Sequence, residues 1–558
     1  MILWHIPLLA HLSPFKTAQV TRPNGARRRT LRESLMVPSL RAGRCRPLAP
    51  VRRVAALAGL GLALSAAPLP AQSWLTLHSF PALTAETNAE GAVPYASLTP
   101  AGDLLYGVAT VGGKYGEGTL FAVNTRSNTL AILHSFANVT TDGCEPFGGL
   151  LLSGGTLYGT TTVGGANGAG TVFSIATNGT HFTLLHSFAA VTYSSGLATY
   201  TNQEGDEPFS NLRLAGNTLY GSAGYAGVNG NGTLFALGTN GQNFRVLHTF
   251  SAIDAATLSN ADGADPGGLV ETNGMVYGVA WEGGTNGTGT VWALNPANSN
   301  FVTLHSFAAE AEDTTRGGYT NWDGMNPNGG LVLSGSTLFG TAVQGGTNGN
   351  AGAYNAGAGT LFALQTNGGN FHVLHHFTEI DTSTQANQDG GSPYSPLCLG
   401  GNLLYGSTTA GGTGTNGTVF VVSTNGGTLT VLHTFAATPA QTNQDGAMVY
   451  AGLLLVGNRL YGTASLGGLY GSGTLFELAI QPRLTGLVPA GTNLTLHAIN
   501  GVANESYCIL ASSSLTNPLS QWQPMTTNML AAGGNFTLTL TNAVNPTVPA
   551  QFYLLQAQ

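Results

Sequence analysis

The chain is 558 residues long, with 80 glycines and only 8% charged residues, a composition that favours extended strands joined by Gly, Asn and Thr turns over helices. Eleven of its eighteen Lys and Arg precede Gln72, so the remainder sets seven basic residues against twenty-four acidic ones, a net charge of −17. That sign, with Lys114, Arg126, Arg213 and Arg459 scattered instead of striped, argues against nucleic acid as a partner.

At the amino terminus, Arg52 and Arg53 precede an apolar run from Val54 to Ala67 and a small-residue exit ending at Ala71. This is the layout of a secretory signal peptide cleaved after Ala71. The run is short for a bilayer span, so removal is expected, with no transmembrane anchor left. Met36 lies at a suitable distance upstream of Arg52 to be the translation start. The expected organisation is a presequence and signal peptide over 1–71, a repeat body over 72–480 and a C-terminal domain over 481–558, in an extracytoplasmic protein that is secreted or held at the cell surface. Cys144, Cys398 and Cys508 remain after cleavage, an odd number without metal-ligand spacing. Cys398 and Cys508 lie in apolar, strand-like runs and read as inert buried thiols.

The tetrapeptide Leu77-His78-Ser79-Phe80 recurs with small changes at residues 133, 185, 247, 304, 374 and 432. Between the copies a Tyr-Gly or Phe-Gly pair recurs at Tyr106, Tyr158, Tyr220, Tyr277, Phe339, Tyr405 and Tyr461, followed by a Gly-rich stretch and Gly-Thr-Leu/Val-Phe/Trp. One unit reads as four strands, a to d: Gly149 to Ser153, Leu157 to Thr162, Thr171 to Ala176 and Phe182 to Phe188. The short links Ser153-Gly154-Gly155 and Thr177-Asn178-Gly179 suit hairpins, giving an antiparallel meander. Seven such units predict an all-β, seven-bladed, four-stranded β-propeller. A lone d-type strand, Trp74 to Phe80, opens the array and the last unit stops after its c strand, so the N-terminal strand is expected to close the ring and cover both edges.

With units such as Leu157-Tyr158-Gly159-Thr160-Thr161 running through Gly164-Gly165 to Gly170-Thr171-Val172-Phe173, the chain over 74–480 resembles the GloVer tandem-repeat family of extracytoplasmic bacterial proteins. The resemblance implies location and repeat architecture but carries no activity. A weaker likeness to kelch blades concerns fold alone. From Gln481 onward the repeat ends, and Asn493 to Ala498, Tyr507 to Ser512 and Asn535 to Thr541 alternate like the strands of a small β-sandwich.

Two recurrent residue types invite a metal reading. The histidines His78, His134, His186, His248, His305, His375 and His433 fall on the outer strand of each blade, where they cannot converge on one ion, so a structural role is expected. Asn-x-Asp/Glu-Gly recurs at Asn88, Asn202, Asn260, Asn321, Asn387 and Asn443, with Asp142-Gly143 as a partial copy. One Asn and one acid per loop fall short of a calcium shell, and a loop-stapling role is expected instead. The Gly-rich b to c stretches lead into strands rather than helices and lack a Gly-Lys-Ser/Thr signature, which removes nucleotide binding. No metal and no cofactor is expected.

The intervals from the Phe ending strand d to the Pro before strand a are 13, 9, 19, 15, 19 and 15 residues, while the turns of the other face stay short. The long-loop face is therefore the candidate binding surface. On it, Trp281, Glu282, Trp322, Asp323, Asp313 and Tyr319 depart from repeat symmetry. Aromatic faces beside carboxylates suit sugar rings, so polysaccharide is the leading ligand class. The alternatives are a carbohydrate-active enzyme using Asp265, Glu282 and Asp313 as general acid and base, and a structural adhesion protein that engages a cell-surface protein, with the C-terminal domain as a docking module.

Overall fold

The computed structural model describes residues 73–557 except 138, 197–198, 314–317, 348–356, 491–492, 503–504, 515, 531–533, 542 and 544–550. The expected signal peptide, its cleavage site and the Met36 start lie outside the described residues. Among the described residues the fold is all-β, its only helical elements being the short 3-10 turns Pro439–Gln441 and Leu519–Gln521. No helix of these residues is long and apolar enough to cross a membrane.

Seven antiparallel sheets follow one another along the chain. The second is representative: Leu151–Ser153, Thr156–Thr161, Thr171–Ala176 and Thr183–Ser187 pair in the order d-c-b-a. Six of the sheets have four strands; the fifth is extended by the hairpin Ala311–Asp313 and Gly318–Pro327. The seventh sheet takes its fourth strand from the start of the array, where Trp74–Ser79 pairs with Thr474–Ala479 through contacts such as Trp74 with Leu478 and Ser79 with Thr474. The expected closure is therefore present.

The recurrent motifs have direct packing reasons. Gly159 of the Tyr-Gly pair is opposite Phe173 of strand c, and a β-carbon there would lie 2.5 Å from the Phe173 ring; only glycine lets the ring lie flat on the sheet. The glycine that precedes strand c meets the next repeat. A β-carbon on Gly170 would lie 2.5 Å from Pro208 Cδ, and one on Gly473 would lie 2.5 Å from Pro94 Cδ, so the interlock also joins the last repeat to the first.

Hydrophobic clusters sit between sheets and not within them. Tyr106, Leu120 and Phe136 of the first sheet pack on Leu157, Phe173 and Ile175 of the second. The same relation holds for each successive pair, and Tyr461 and Leu475 of the seventh sheet return to pack on Leu105 and Phe121 of the first. Each fully buried Phe in these layers contributes about 2–3 kcal/mol of burial free energy, spread around a cycle with no terminal sheet.

After Ala479 the chain builds two three-stranded sheets, Arg483–Ala490 with Asn493–Gly501 and Gly534–Leu540, and Gln523–Met529 with Ser506–Ser512 and Phe552–Ala557. Leu494, Leu496 and Leu540 of one share a core with Tyr507, Ile509 and Leu555 of the other. Val502, between them in sequence, is buried against Leu460 and Ile480 of the repeat body.

Candidate functional site

The two recurrent polar motifs form one device. In all seven repeats the histidine Nε2 meets the loop acid, from His78 with Glu90 at 2.8 Å to His433 with Asp445 at 2.9 Å. In six repeats the loop asparagine completes it: Asn88 Nδ2 donates to the carbonyls of Pro81 and Gly91, while its Oδ1 accepts from the N–H groups of Glu90, Gly91 and Gly113; the second repeat has Thr140 there, and its Asp142 carbonyl accepts from Gly165 N–H instead. Each d to a loop is thus tied to the b to c loop beside it. Among the described residues, no group of three or more His, Cys, Asp or Glu is placed to hold a metal ion.

A second ring forms around the start of strand a. The residue two before the first aromatic or equivalent position of each repeat has a positive φ: Val93 (57°), Glu145 (55°), Glu207 (53°), Asp265 (56°), Asn326 (56°), Ser392 (53°) and Met448 (57°). Such a conformation is costly for a non-Gly residue, above all for a β-branched one. Backbone hydrogen bonds on both sides hold it. The Glu145 N–H donates to the Glu117 carbonyl of the preceding repeat, and the Glu145 carbonyl accepts from Thr162 N–H; Met448 does the same with Asn416 and Ser465.

Two residues on, the side chains converge. Tyr95 stacks on Tyr450 with centroids 4.6 Å apart and meets Phe147 at 3.9 Å; Tyr394 meets Tyr450 at 5.2 Å, and Trp281 stacks on Tyr394 at 5.8 Å. These rings come from the first, second, fourth, sixth and seventh repeats, so side chains far apart in sequence meet at one place. The fourth repeat has Gly267 at the aromatic position, and there Trp281 supplies the ring from the end of its b strand.

Carboxylates occupy one side of this centre. Glu145, Glu207 and Asp265 stand before the prolines of three successive repeats, joined by Glu117, Asp206 and Glu282 from adjoining positions. Burial, followed by the charges of Glu282 and Glu207, pushes Asp265 up to about 8. Burial, with the charges of Asp206 and Glu145, raises Glu207 to about 7. Burial also raises Glu145, Glu282, Asp206 and Glu117. Tyr225 Oη donates to Asp265 Oδ2 at 3.5 Å, and the Asp265 charge is the main cause that raises the Tyr225 phenol. Cys144 is buried beside Glu117, and burial raises its thiol well above the ordinary value, so it supplies no nucleophile.

The sign of the resulting pH dependence follows from these shifts. Carboxyls held above their ordinary values bind protons more tightly in the folded state, so their contribution to stability is complete below the ordinary carboxylate range and is lost as pH rises through about 8. Asp265→Asn is expected to raise the melting temperature by about 3–5 °C at pH 9 and to change it little at pH 4, measured by calorimetry at the two pH values. An equal shift at both would remove the protonation argument.

The structure divides the six residues singled out from sequence. Trp281 and Glu282 end strand Met275–Glu282 beside this aromatic cluster, and the register puts Glu282 opposite Ala264, next to Asp265. Trp322 is 56% exposed and meets the edge of Phe371. Asp323 is 0% exposed, with its carboxylate held by His305 Nε2 at 3.0 Å and by the Ala308 N–H at 3.1 Å; it is the acid of the fifth repeat's loop device and is closed to ligand. Asn326, whose Nδ2 donates to the Trp281 carbonyl, is four residues beyond Trp322, roughly 13 Å along an extended strand, so the two tryptophans serve different places. Asp313 and Tyr319 lie in the hairpin of the fifth sheet, and their side chains are outside the described residues. Sequence reading passed over Glu145, Glu207, Tyr95, Phe147, Tyr394 and Tyr450. The signal that finds them is the pair of residues flanking each repeat's proline, acidic before it in repeats two to four.

No curated protein matches the chain in sequence. Among solved structures the chain is similar to a computationally designed protein, Ika8 (12% identity, 74% of this chain and 94% of that one, TM-score 0.36). It is also similar to an oligogalacturonate lyase in complex with manganese (10%, 74% and 97%, TM-score 0.40) and to the GH74 enzyme of Niastella koreensis (12%, 75% and 59%, TM-score 0.43). At these TM-scores none of the three bears on the fold or the chemistry. The sequence itself matches the Gloeobacter/Verrucomicrobia repeat over residues 68–261, 190–350 and 318–505. With the motifs of that repeat accounted for by ring packing from one end of the array to the other, the chain belongs to the Gloeobacter/Verrucomicrobia repeat family.

Proposed function

We propose that the seven sheets are the blades of a seven-bladed β-propeller with a C-terminal β-sandwich, and that the protein works outside the cytoplasm as a carbohydrate-binding module at the axial end of strands a. The observation that carries the reading is the convergence of Trp281, Tyr394, Tyr450 and Tyr95 beside Glu282 and Asp265. Flat apolar rings stack on the C–H faces of sugars while carboxylates accept from hydroxyls, and concave sites that pair a few polar groups with aromatic walls are the usual form of a small-ligand site. Trp322 and Asp323 have no part in it.

A glycan array probed with the full chain tests the reading. Selective glycan binding is expected, with Trp281→Ala weakening it at least tenfold and leaving the melting temperature within about 1 °C. Absence of binding to every glycan, or binding unchanged by Trp281→Ala, would refute it.

One observation favours a second reading, glycoside cleavage. Asp265, pushed up to about 8, keeps its proton at neutral pH as a general acid must, and Glu282 lies next to it. Release of reducing ends from a bound glycan, lost in Asp265→Asn, would establish this chemistry; binding without turnover leaves the module reading.

A further inference from the structure

In strand a, the position opposite the aromatic of the Tyr-Gly or Phe-Gly pair is Thr99, Leu151, Val270, Val332, Cys398 or Leu454 in six repeats, and Arg213 in the third. Leu212 and Leu214 belong to the core shared with the second repeat, so alternation along the strand turns Arg213 to the layer shared with the fourth. There its Nε donates to the Leu269 carbonyl at 2.6 Å. That bond needs no charge, since Thr99 makes the equivalent one to the Leu150 carbonyl with a hydroxyl.

What the guanidinium adds is the N–H donors of Nη1 and Nη2, none of which has a protein partner among the described residues. A counter-charge is missing as well. The arginine–carboxylate pairs of these residues are Arg126 with Asp103 and Arg459 with Glu477, and Glu271, on the facing strand, accepts from the Gly274 N–H at 3.1 Å instead. Burial lowers the Arg213 guanidinium, and no neighbouring charge contributes. A cation set at an apolar layer without a partner costs stability, and the other repeats do without one.

The position is also accessible. The aromatics of the other six pairs are at most 9% exposed, whereas Tyr220, opposite Arg213, is half-buried, as Arg213 is. Neither the Arg213 Nη atoms nor Tyr220 Oη is among the unpartnered atoms sealed from solvent, so both residues present free donors to an entering ligand.

We propose that Arg213 and Tyr220 bind the carboxylate of a small molecule, at a second site independent of the carbohydrate reading. Arg213 is four residues beyond Phe209, the counterpart of Tyr95 and Tyr394, which puts it roughly 13 Å of extended strand from the level of the aromatic cluster. With Nε fixed on Leu269, the Nη1 and Nη2 edge offers two parallel N–H groups to the two oxygens of a carboxylate, and the Tyr220 hydroxyl adds a neutral donor. Seven basic residues against twenty-four acidic ones beyond Ala71 oppose multiply charged anions, which selects a single carboxylate over phosphate.

Line broadening of isotopically labelled acetate mixed with the full chain tests this. Acetate is expected to bind with half-saturation at about 1–10 mM and to be displaced by propionate, but not by phosphate or chloride at the same ionic strength. Arg213→Lys, which keeps the charge and loses the fork, should weaken binding by about fivefold or more and hold the melting temperature within about 2 °C. Tyr220→Phe should weaken it about threefold. Arg213→Leu, with the residue of the second and seventh repeats at this position, should abolish binding and leave the melting temperature unchanged or higher. No acetate binding, equal displacement by phosphate, or full affinity in Arg213→Lys overturns the proposal. So does a melting temperature more than about 4 °C lower in Arg213→Leu, which would make the arginine a packing residue.

Discussion

Deletion of residues 74–80 is expected to lower the melting temperature of the repeat body by more than about 10 °C and leave an aggregation-prone chain. Trp74–Ser79 pairs with Thr474–Ala479 on its outer side, so its loss bares a strand edge of six residues that are all buried. The strand also fills two layers. Leu77 and Phe80 are buried against Leu105, Phe121 and Leu475, while Trp74 stacks on His433 at 3.8 Å and on Phe476 at 4.5 Å. Phe80→Ala alone should cost about 3–5 kcal/mol. A cooperative unit of about 400 residues loses only about 1 °C per kcal/mol, so that single change should move the melting temperature by about 4 °C and the deletion by well over 10 °C. Calorimetry and light scattering read both; an unchanged melting temperature in the deletion would show that the first strand does not close the ring.

Asp323→Ala should be the most damaging single change among the residues first marked as ligand-facing. Its carboxylate holds His305 Nε2 at 3.0 Å and the Ala308 N–H at 3.1 Å, and both contacts are lost with the side chain. Losing hydrogen bonds to a buried carboxylate, with the donors left unpaired, costs about 2–3 kcal/mol. Trp322→Ala, next to it but exposed, should cost less than about 1 kcal/mol. Chemical denaturation of the two variants separates them. Equal, small effects would mean that the loop device contributes little and that Asp323 is free to do something else.

The architecture is readable from sequence because each repeat states its packing in residue types that nothing else replaces. The Gly of Tyr-Gly marks a ring lying on a strand, and the missing d strand of the last unit points to the surplus one at the start. The loop device was visible only as two separate motifs. His305 and Asp323 are 18 residues apart, and nothing local says that they touch, so Asp323 reads as a free carboxylate beside a tryptophan until the loop is closed in space. The axial site was legible in part. Trp281 and Glu282 stand out because they break the repeat, whereas Glu145, Glu207, Tyr95 and Tyr450 follow it and look like routine copies. Their meaning depends on the ring bringing distant repeats face to face, which no single unit encodes.

The histidine–acid contacts span 8 residues in one repeat and 18 in two others, yet their geometry is the same. Each d to a loop is therefore an excursion clasped at its base, and the fold is indifferent to what the chain does between the clasps. Doubling such a segment costs only about 0.6 kcal/mol in closure entropy. The rim of this ring is in that sense a set of seven sockets, where peptide can be lengthened, exchanged or grafted while the sheets beneath keep their register.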